Sequence, residues 1–259
     1  MTPDTLPLEQ SASLPLFYQS PVLLRFEEHR IAGLKRQNGF PFARDTIAVP
    51  LCIGEFTAAV RHYPIVFTPD DHHTPLAVLG VQEGKNLFVN EDGSWKAGFY
   101  VPAYVRRYPF IVTDTPDQQS QLLAIDGASE RFVIDADKEK DVARLFDDEG
   151  GPTSAAQEAM TFCHAFHSEH MKTTAISNAL ASAGLLTANH AQMQLPNGNR
   201  YSLDGFMVVE EQAYRALPAE TLVEWQANGW LDPVALHLAS RQNWQTLLDL
   251  QTDARKEAA

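Results

Sequence analysis

The densest group of side chains suited to recognition lies in one short stretch near the middle of the chain. It contains Tyr100, Tyr104, Arg106, Arg107 and Tyr108. An arginine presents a planar fork of N–H donors to a carboxylate or phosphate, and a tyrosine joins an apolar ring to a polar hydroxyl. Such a cluster predicts a surface that binds a peptide, a protein or a small anionic molecule. The open alternative is that these side chains line a sheet and that the arginines are paired with the chain's many carboxylates.

The local conformation decides how many arginines reach one ligand. In an extended strand Arg106 and Arg107 would point to opposite faces. In a helical turn they would splay by about 100° and both could reach it. A short helix is expected near 103–107. His62 and Tyr63 form a similar polar-aromatic pair and complete the candidate binding surface.

Histidines supply the alternative chemistry, a metal-dependent enzyme. His164 and His167 are three residues apart on a predicted helix, and His72 and His73 follow Asp70-Asp71 in a Pro-flanked loop. Imidazole and carboxylate groups that converge from one face bind zinc or iron. The competing interpretations are a solvated helix flank for the first pair and an ordinary exposed turn for the second.

Charge and motif content exclude several classes of function. The formal net charge is −13, and residues 111–259 hold most of the acidic excess. A phosphate backbone or an anionic bilayer would be repelled, so neither nucleic acid nor membrane is an expected partner. The patterns GxGxxG, GxxxxGKS/T and GxSxG do not occur, so no dinucleotide, P-loop or nucleophile-elbow site and no cofactor are expected.

The state of the two cysteines is predicted from their sequence context, and the compartment is predicted from the N-terminal residues. Cys52 and Cys163 lie in apolar contexts without CxxC spacing, which predicts buried free thiols. Residues 1–16 lack the charged and apolar regions of a signal peptide, and no run approaches the ~18 apolar residues of a transmembrane helix. The chain is therefore expected to act in the cytoplasm.

The elements that would position these residues follow from apolar periodicity and turn residues. Up to about residue 135, short apolar runs alternate with Pro, Gly, Asp and Asn, which is typical of a sheet. The predicted strands include 64–67, 76–81, 86–89, 110–112, 122–125 and 132–134, with a further short helix near 55–62. Later come predicted helices at 141–146, from Thr153 or Ser154 to Ala183, at 210–228 and at 233–251. An Asn-Gly turn between two β-type runs predicts a hairpin over 193–209.

These elements predict an α+β fold with a largely antiparallel or mixed sheet in the N-terminal part and a helical C-terminal part that contains the hairpin. The expected organisation is a flexible leader (1–14), a mainly β region (15–137), a mainly helical region (138–251) and a frayed tail (252–259). The two central regions are expected to pack as one unit.

Several segments together give the chain a resemblance to the SapC-like family of bacterial proteins. They are Glu55-Phe56, 61–67, 86–89, 93–95, 100–110, 145–150, 203–206, 229–231 and 236–240, in the family's order. The resemblance implies an association with surface-layer proteins, which makes a structural surface protein a third possible function. It also implies neighbouring genes for TonB-dependent receptors and halogenase-like proteins, whose products are candidate partners. It carries over no catalytic residue.

Overall fold

The computed structural model describes residues 14–36, 39–114, 121–194, 198 and 200–256. Within them, antiparallel sheets occupy the N-terminal part and helices the C-terminal part, so the predicted α+β class is confirmed. Nearly all of the predicted leader and most of the predicted Asn-Gly turn lie outside the described residues.

The strands are β1 (Pro21–Leu23), β2 (Gly33–Lys35), β3 (Ala48–Pro50), β4 (Ile65–Phe67), β5 (Pro75–Val78), β6 (Phe110–Asp114), β7 (Gln121–Asp126), β8 (Phe132–Val133), β9 (Val142–Arg144), β10 (Leu186–Gln194) and β11 (Arg200–Val209). The helices are α1 (Phe26–His29), α2 (Phe56–Ala59), α3 (Ala103–Arg107), α4 (Ser154–Ser182), α5 (Glu211–Arg215), α6 (Ala219–Asn228), α7 (Leu231–Ser240) and α8 (Trp244–Lys256).

The largest sheet joins the two parts of the chain. Its strand order is β10-β11-β4-β5-β3, and its neighbours pair in antiparallel fashion. All three residues of β4 are buried, as expected for a strand covered on both faces. The hairpin β10–β11 starts at Leu186, earlier than predicted, and its second strand pairs with β4 through Met207 and Phe67.

Two three-stranded sheets, β1-β7-β6 and β8-β2-β9, complete the β structure of the described residues. The helix predicted at 141–146 is wrong, because Val142–Arg144 forms β9 and pairs with β2. Asp141 has φ 57°, a left-handed conformation that a helix start would not have. Gly33 permits the pairing, since an added Cβ would lie 2.5 Å from a methyl carbon of Val142.

The strand predicted at 86–89 is also absent from the described structure, where a single bridge joins Val89 to Trp95. The side chain of the buried residue Asn86 makes hydrogen bonds of the kind that backbone groups make between paired strands. Its amide nitrogen donates to the Ala43 carbonyl at 2.9 Å, and its oxygen accepts the N–H of Phe88 at 2.9 Å. The segment is therefore a buried loop held by one polar side chain.

Helix α4 agrees with its prediction. It starts at Ser154, ends at Ser182, and is followed by Gly184 with φ 65°. Cys163, Phe166 and Leu180 lie on its buried face. The absence of Pro and Gly from the span allows 29 residues to stay helical.

The C-terminal helices are more divided than predicted. The helix expected over 210–228 is interrupted at Pro218, which lacks the N–H needed to continue α5 and instead precedes α6. A 3-10 turn at Arg241–Asn243 separates α7 from α8. Helix α8 extends to Lys256, five residues beyond the predicted helix end at 251.

Candidate functional site

A cavity of about 380 Å³ lies between α3, the first turns of α4 and strand β2. Its charged lining residues are Lys35, Arg36, Arg106, Arg107, Arg131 and Glu158. Tyr108, Phe110 and Phe162 supply its aromatic surface. We call it the arginine cavity.

The local sequence explains why Arg106 and Arg107 face the same cavity. Helix α3 begins after Pro102 and ends where Tyr108 becomes extended, with ψ 135°. The residue before a proline disfavours the helical region, so Pro109 ends the helix at this point. Both arginines lie in its last turn and both line the cavity. Of the two geometries considered, the structure has the helical one.

Arg107 is held by aromatic rings. Its guanidinium carbon lies 4.3 Å from the ring centre of Phe166, 4.8 Å from that of Tyr104 and 5.6 Å from that of Tyr18. Its Nε is buried without a hydrogen-bond partner among the described residues. Tyr104 is itself buried, and its hydroxyl donates to the Leu16 carbonyl at 3.1 Å. Aromatic faces orient a cation without neutralising it, so these rings leave the Arg107 guanidinium available to an anionic ligand.

Arg106 is held by a polar chain. Its Nη2 donates to the Tyr100 hydroxyl at 3.1 Å, and its Nε donates to the Val101 carbonyl at 3.1 Å. The Tyr100 hydroxyl donates in turn to the buried Glu55 carboxylate at 2.9 Å. On the other side, the Arg106 guanidinium lies 5.2 Å from the ring centre of Phe162.

Arg131 reaches the cavity from the loop after β7. Its Nη1 donates to the Tyr108 carbonyl at 3.3 Å, and its buried Nε has no partner among the described residues. Burial lowers the pKa of Arg131 from its ordinary value, because the charged form loses hydration. The Tyr108 hydroxyl donates to the fully buried Asp126 carboxylate at 3.0 Å, which fixes this wall.

The charges of the arginine cavity are poorly balanced. Lys35 pairs with Glu139 at 2.6 Å. Within the described part of the chain, the four arginines Arg36, Arg106, Arg107 and Arg131 make no ion pair within 4.0 Å. Among the residues that the structure describes, Glu158 is the one carboxylate that lines the cavity. The alternative in which the arginines are paired with carboxylates is therefore not seen among these residues.

A second cavity of about 460 Å³, here called the adjacent cavity, lies along the next turns of α4. It is lined by Cys52, Gly54, Glu55, Tyr100, Ala103, Arg106, Phe162, Ala165, Phe166 and Glu169. Arg106 and Phe162 line both cavities.

The other two members of the predicted surface lie elsewhere. Tyr63 is fully buried, donates its hydroxyl proton to the Tyr100 carbonyl and accepts the Trp95 Nε1–H at 3.1 Å. His62 packs against Phe99 with 5.3 Å between ring centres, and burial lowers its pKa. The cluster is thus divided: Arg106, Arg107 and Tyr108 line the arginine cavity, whereas Tyr100 and Tyr104 hold the arginines in place.

Most residues of the arginine cavity were not predicted from the sequence, among them Lys35, Arg36, Arg131 and Phe162. Lys35 and Arg36 are adjacent cations, which is a weak signal of an anion site. Arg131 and Phe162 had no local signal, because only the tertiary packing of the β7–β8 loop and of α4 brings them to α3.

The candidate metal ligands do not assemble into a metal site in the described part of the chain. Asp70 accepts the backbone N–H groups of His72 and His73 at 3.1 and 3.2 Å, which makes the segment a turn. His164 is exposed and His167 is half-buried on α4. The described residues contain no group of three His, Cys, Asp or Glu side chains arranged to hold a metal ion.

None of the described helices is long and apolar enough to cross a bilayer. The family model described as SapC matches residues 24–247, a span that includes every residue lining the two cavities. Comparisons with curated proteins and with solved structures gave no match.

Proposed function

This chain belongs to the SapC family, and we propose that it is a binding protein for a small anionic molecule held in the arginine cavity. The ligand would carry a carboxylate or phosphate group, which the guanidinium forks of the cavity would bind. On this proposal the protein captures or presents its ligand as an accessory protein and does not transform it.

One observation carries the proposal: four arginines face a single cavity without an ion pair among the described residues. The whole chain has 33 acidic residues against 20 basic ones. In such a chain, a cluster of unpaired guanidinium groups raises the local concentration of anions. An anionic ligand would relieve the repulsion between the arginines and supply the missing acceptors for their N–H groups.

The start of α4 supports the same proposal. Ser154 and Ala155, in its first turn, line the arginine cavity. Thr153 does not cap this helix, because its hydroxyl donates to the Arg144 carbonyl at 2.6 Å. The positive N-terminal end of this 29-residue helix therefore adds to the positive electrostatic potential that the arginines create in the cavity.

The test is a binding measurement by calorimetry with inorganic phosphate, succinate and citrate as probes. Arg106→Gln should weaken binding of the best probe by about tenfold to hundredfold, the loss expected for one charge-assisted contact of ~1.5–3 kcal/mol. Arg107→Lys should weaken it as well, because lysine keeps the charge over the rings but lacks the planar fork.

Arg61→Gln is the matched control, since Arg61 is an exposed arginine that does not line the cavity. It should bind the probes as the wild type does, and tetramethylammonium should bind to none of the variants. The proposal is wrong if no anion binds the wild type at millimolar concentration, or if both cavity variants bind as tightly as it does.

The proposed place of action is the cytoplasm. Cys52 and Cys163 are free and buried in the structure, in agreement with the sequence prediction. Reducing compartments keep such thiols unpaired. Cell fractionation that recovers the protein from the periplasm or the cell surface would contradict this proposal.

A further inference from the structure

We propose that the arginine cavity and the adjacent cavity together bind one amphipathic organic anion. Its carboxylate or phosphate head would lie among the arginines, and its apolar tail would lie along α4 in the adjacent cavity. This inference rests on the proposed anion-binding function and names the class of ligand that fits it.

A continuous face of α4 connects the two cavities. Ala155 and Ala159 line the arginine cavity, Phe162 lines both, and Phe166 and Glu169 line the adjacent cavity. These positions recur every three or four residues, so they lie on one face of the helix. From Ala155 to Glu169 that face is about 21 Å long at 1.5 Å per residue. A single extended ligand therefore has one helix face to follow.

The two cavities share a wall. Arg106 contributes to both, and its bonds to Tyr100 and Val101 hold its guanidinium over the Phe162 ring. A ligand whose head accepts a hydrogen bond from Arg106 would place its next atoms against Phe162. The positions of Arg106 and Phe162 therefore determine the direction in which the apolar tail of the ligand runs.

The adjacent cavity offers apolar surface, although two carboxylates line it. Glu55 already accepts the Tyr100 hydroxyl at 2.9 Å and the Ala103 N–H at 2.6 Å. Glu169 already pairs with Lys172 at 2.6 Å. Both carboxylates therefore have partners and need none from a ligand.

The rest of the adjacent lining suits a hydrocarbon. Ala103, Phe162, Ala165 and Phe166 contribute apolar side chains. Burial raises the pKa of the Cys52 thiol to about 12, so this side chain is also uncharged at neutral pH. Transfer of methylene groups from water to such a surface is favourable, and the free energy gained increases with each methylene added to the chain.

The experiment measures affinity for a series of alkylphosphonates, methyl, butyl, hexyl and octyl, below their micelle concentrations. In the wild type each added methylene should strengthen binding about twofold to fourfold, so octylphosphonate should bind at least about tenfold more tightly than butylphosphonate. Ala165→Phe, which fills the adjacent cavity, should abolish the dependence on chain length. It should weaken binding of octylphosphonate far more than binding of methylphosphonate.

Ala175→Phe is the matched control, because Ala175 is an exposed alanine on α4 that lines neither cavity. It should retain the full chain-length dependence. Ala165→Leu is a smaller change at the same site and should reduce the dependence even if the phenylalanine variant is unstable.

The inference is overturned if wild-type affinity does not increase with chain length, or if the increase persists in both Ala165 variants. It is also overturned if octyltrimethylammonium binds as tightly as octylphosphonate, since tail binding would then be unspecific. Failure of the proposed function gives a different result, because inorganic phosphate and methylphosphonate would then not bind the wild type at all.

Discussion

The buried imidazole of His237 should make the protein sensitive to mild acid. The residue lies on α7, is fully buried, and its Nε2 accepts the Val209 N–H at 3.0 Å. Its ring centre lies 5.0 Å from that of Phe67. Protonation would place a charge in the core and turn the acceptor nitrogen into a donor that faces another donor. Burial, with a smaller contribution from the cation of Arg241, lowers the pKa of His237 from 6.5 to about 4.

The direction and size of the effect follow from linkage. Below pH 6.5 the unfolded chain binds a proton at His237 that the native protein does not bind until about pH 4. The free energy of unfolding therefore falls as the pH falls through this window and is unaffected by this group above it. Between pH 7.5 and 4.5 the free energy of unfolding should fall by about 2–3 kcal/mol, because each pKa unit of the window that is crossed contributes about 1.4 kcal/mol.

The assay is urea unfolding followed by tryptophan fluorescence at several pH values, with His237→Gln as the comparison. The glutamine amide oxygen retains an acceptor for the Val209 N–H but does not titrate. Carboxylates titrate equally in both proteins, so the difference between their pH profiles isolates His237. The wild type should lose about 2–3 kcal/mol more of its free energy of unfolding than the variant between pH 7.5 and 4.5. Parallel profiles would refute the reasoning.

Two further predictions concern other buried groups. Asp126→Asn should lower the free energy of unfolding by about 1–3 kcal/mol, because the fully buried carboxylate accepts three backbone N–H groups and one hydroxyl, and an amide group opposes some of these donors. Chemical denaturation measures this loss, and an unchanged midpoint would contradict it. In a Cys52→Ala variant, which removes the thiol that lines the adjacent cavity, Cys163 should not react with a thiol reagent such as Ellman's reagent at pH 8 until the protein unfolds, because burial raises its pKa to about 11. Rapid labelling of the native variant would show that this thiol is accessible.

Elements governed by local sequence could be predicted. Helix α4 has a long uninterrupted span and a glycine at its end, and both signals act within a few residues. Helix α3 could be predicted for the same reason, with Pro109 two residues beyond its end. The fold class followed from the order of such elements along the chain.

Elements governed by distant contacts could not be predicted. Residues 142–144 have helix-compatible types, and only pairing with β2 makes them a strand. Residues 86–89 have strand-compatible types, and only the bonds of Asn86 to its surroundings make them a loop. The candidate site shows the same limit, since the neighbours Arg106 and Arg107 could be identified and Arg131 could not.

The pairing of β11 with β4 has a consequence for biosynthesis. The ribosome releases β4 and β5 long before the hairpin β10–β11. The edge of β4 that pairs with β11 therefore stays unpaired until the hairpin has been synthesised. During that interval a short apolar strand has unpaired backbone groups and is a template for another chain. Contacts between distant residues also form slowly, because a long loop must close before they are made. Folding of the central sheet is therefore completed only after translation has passed residue 209, and aggregation competes with it until then.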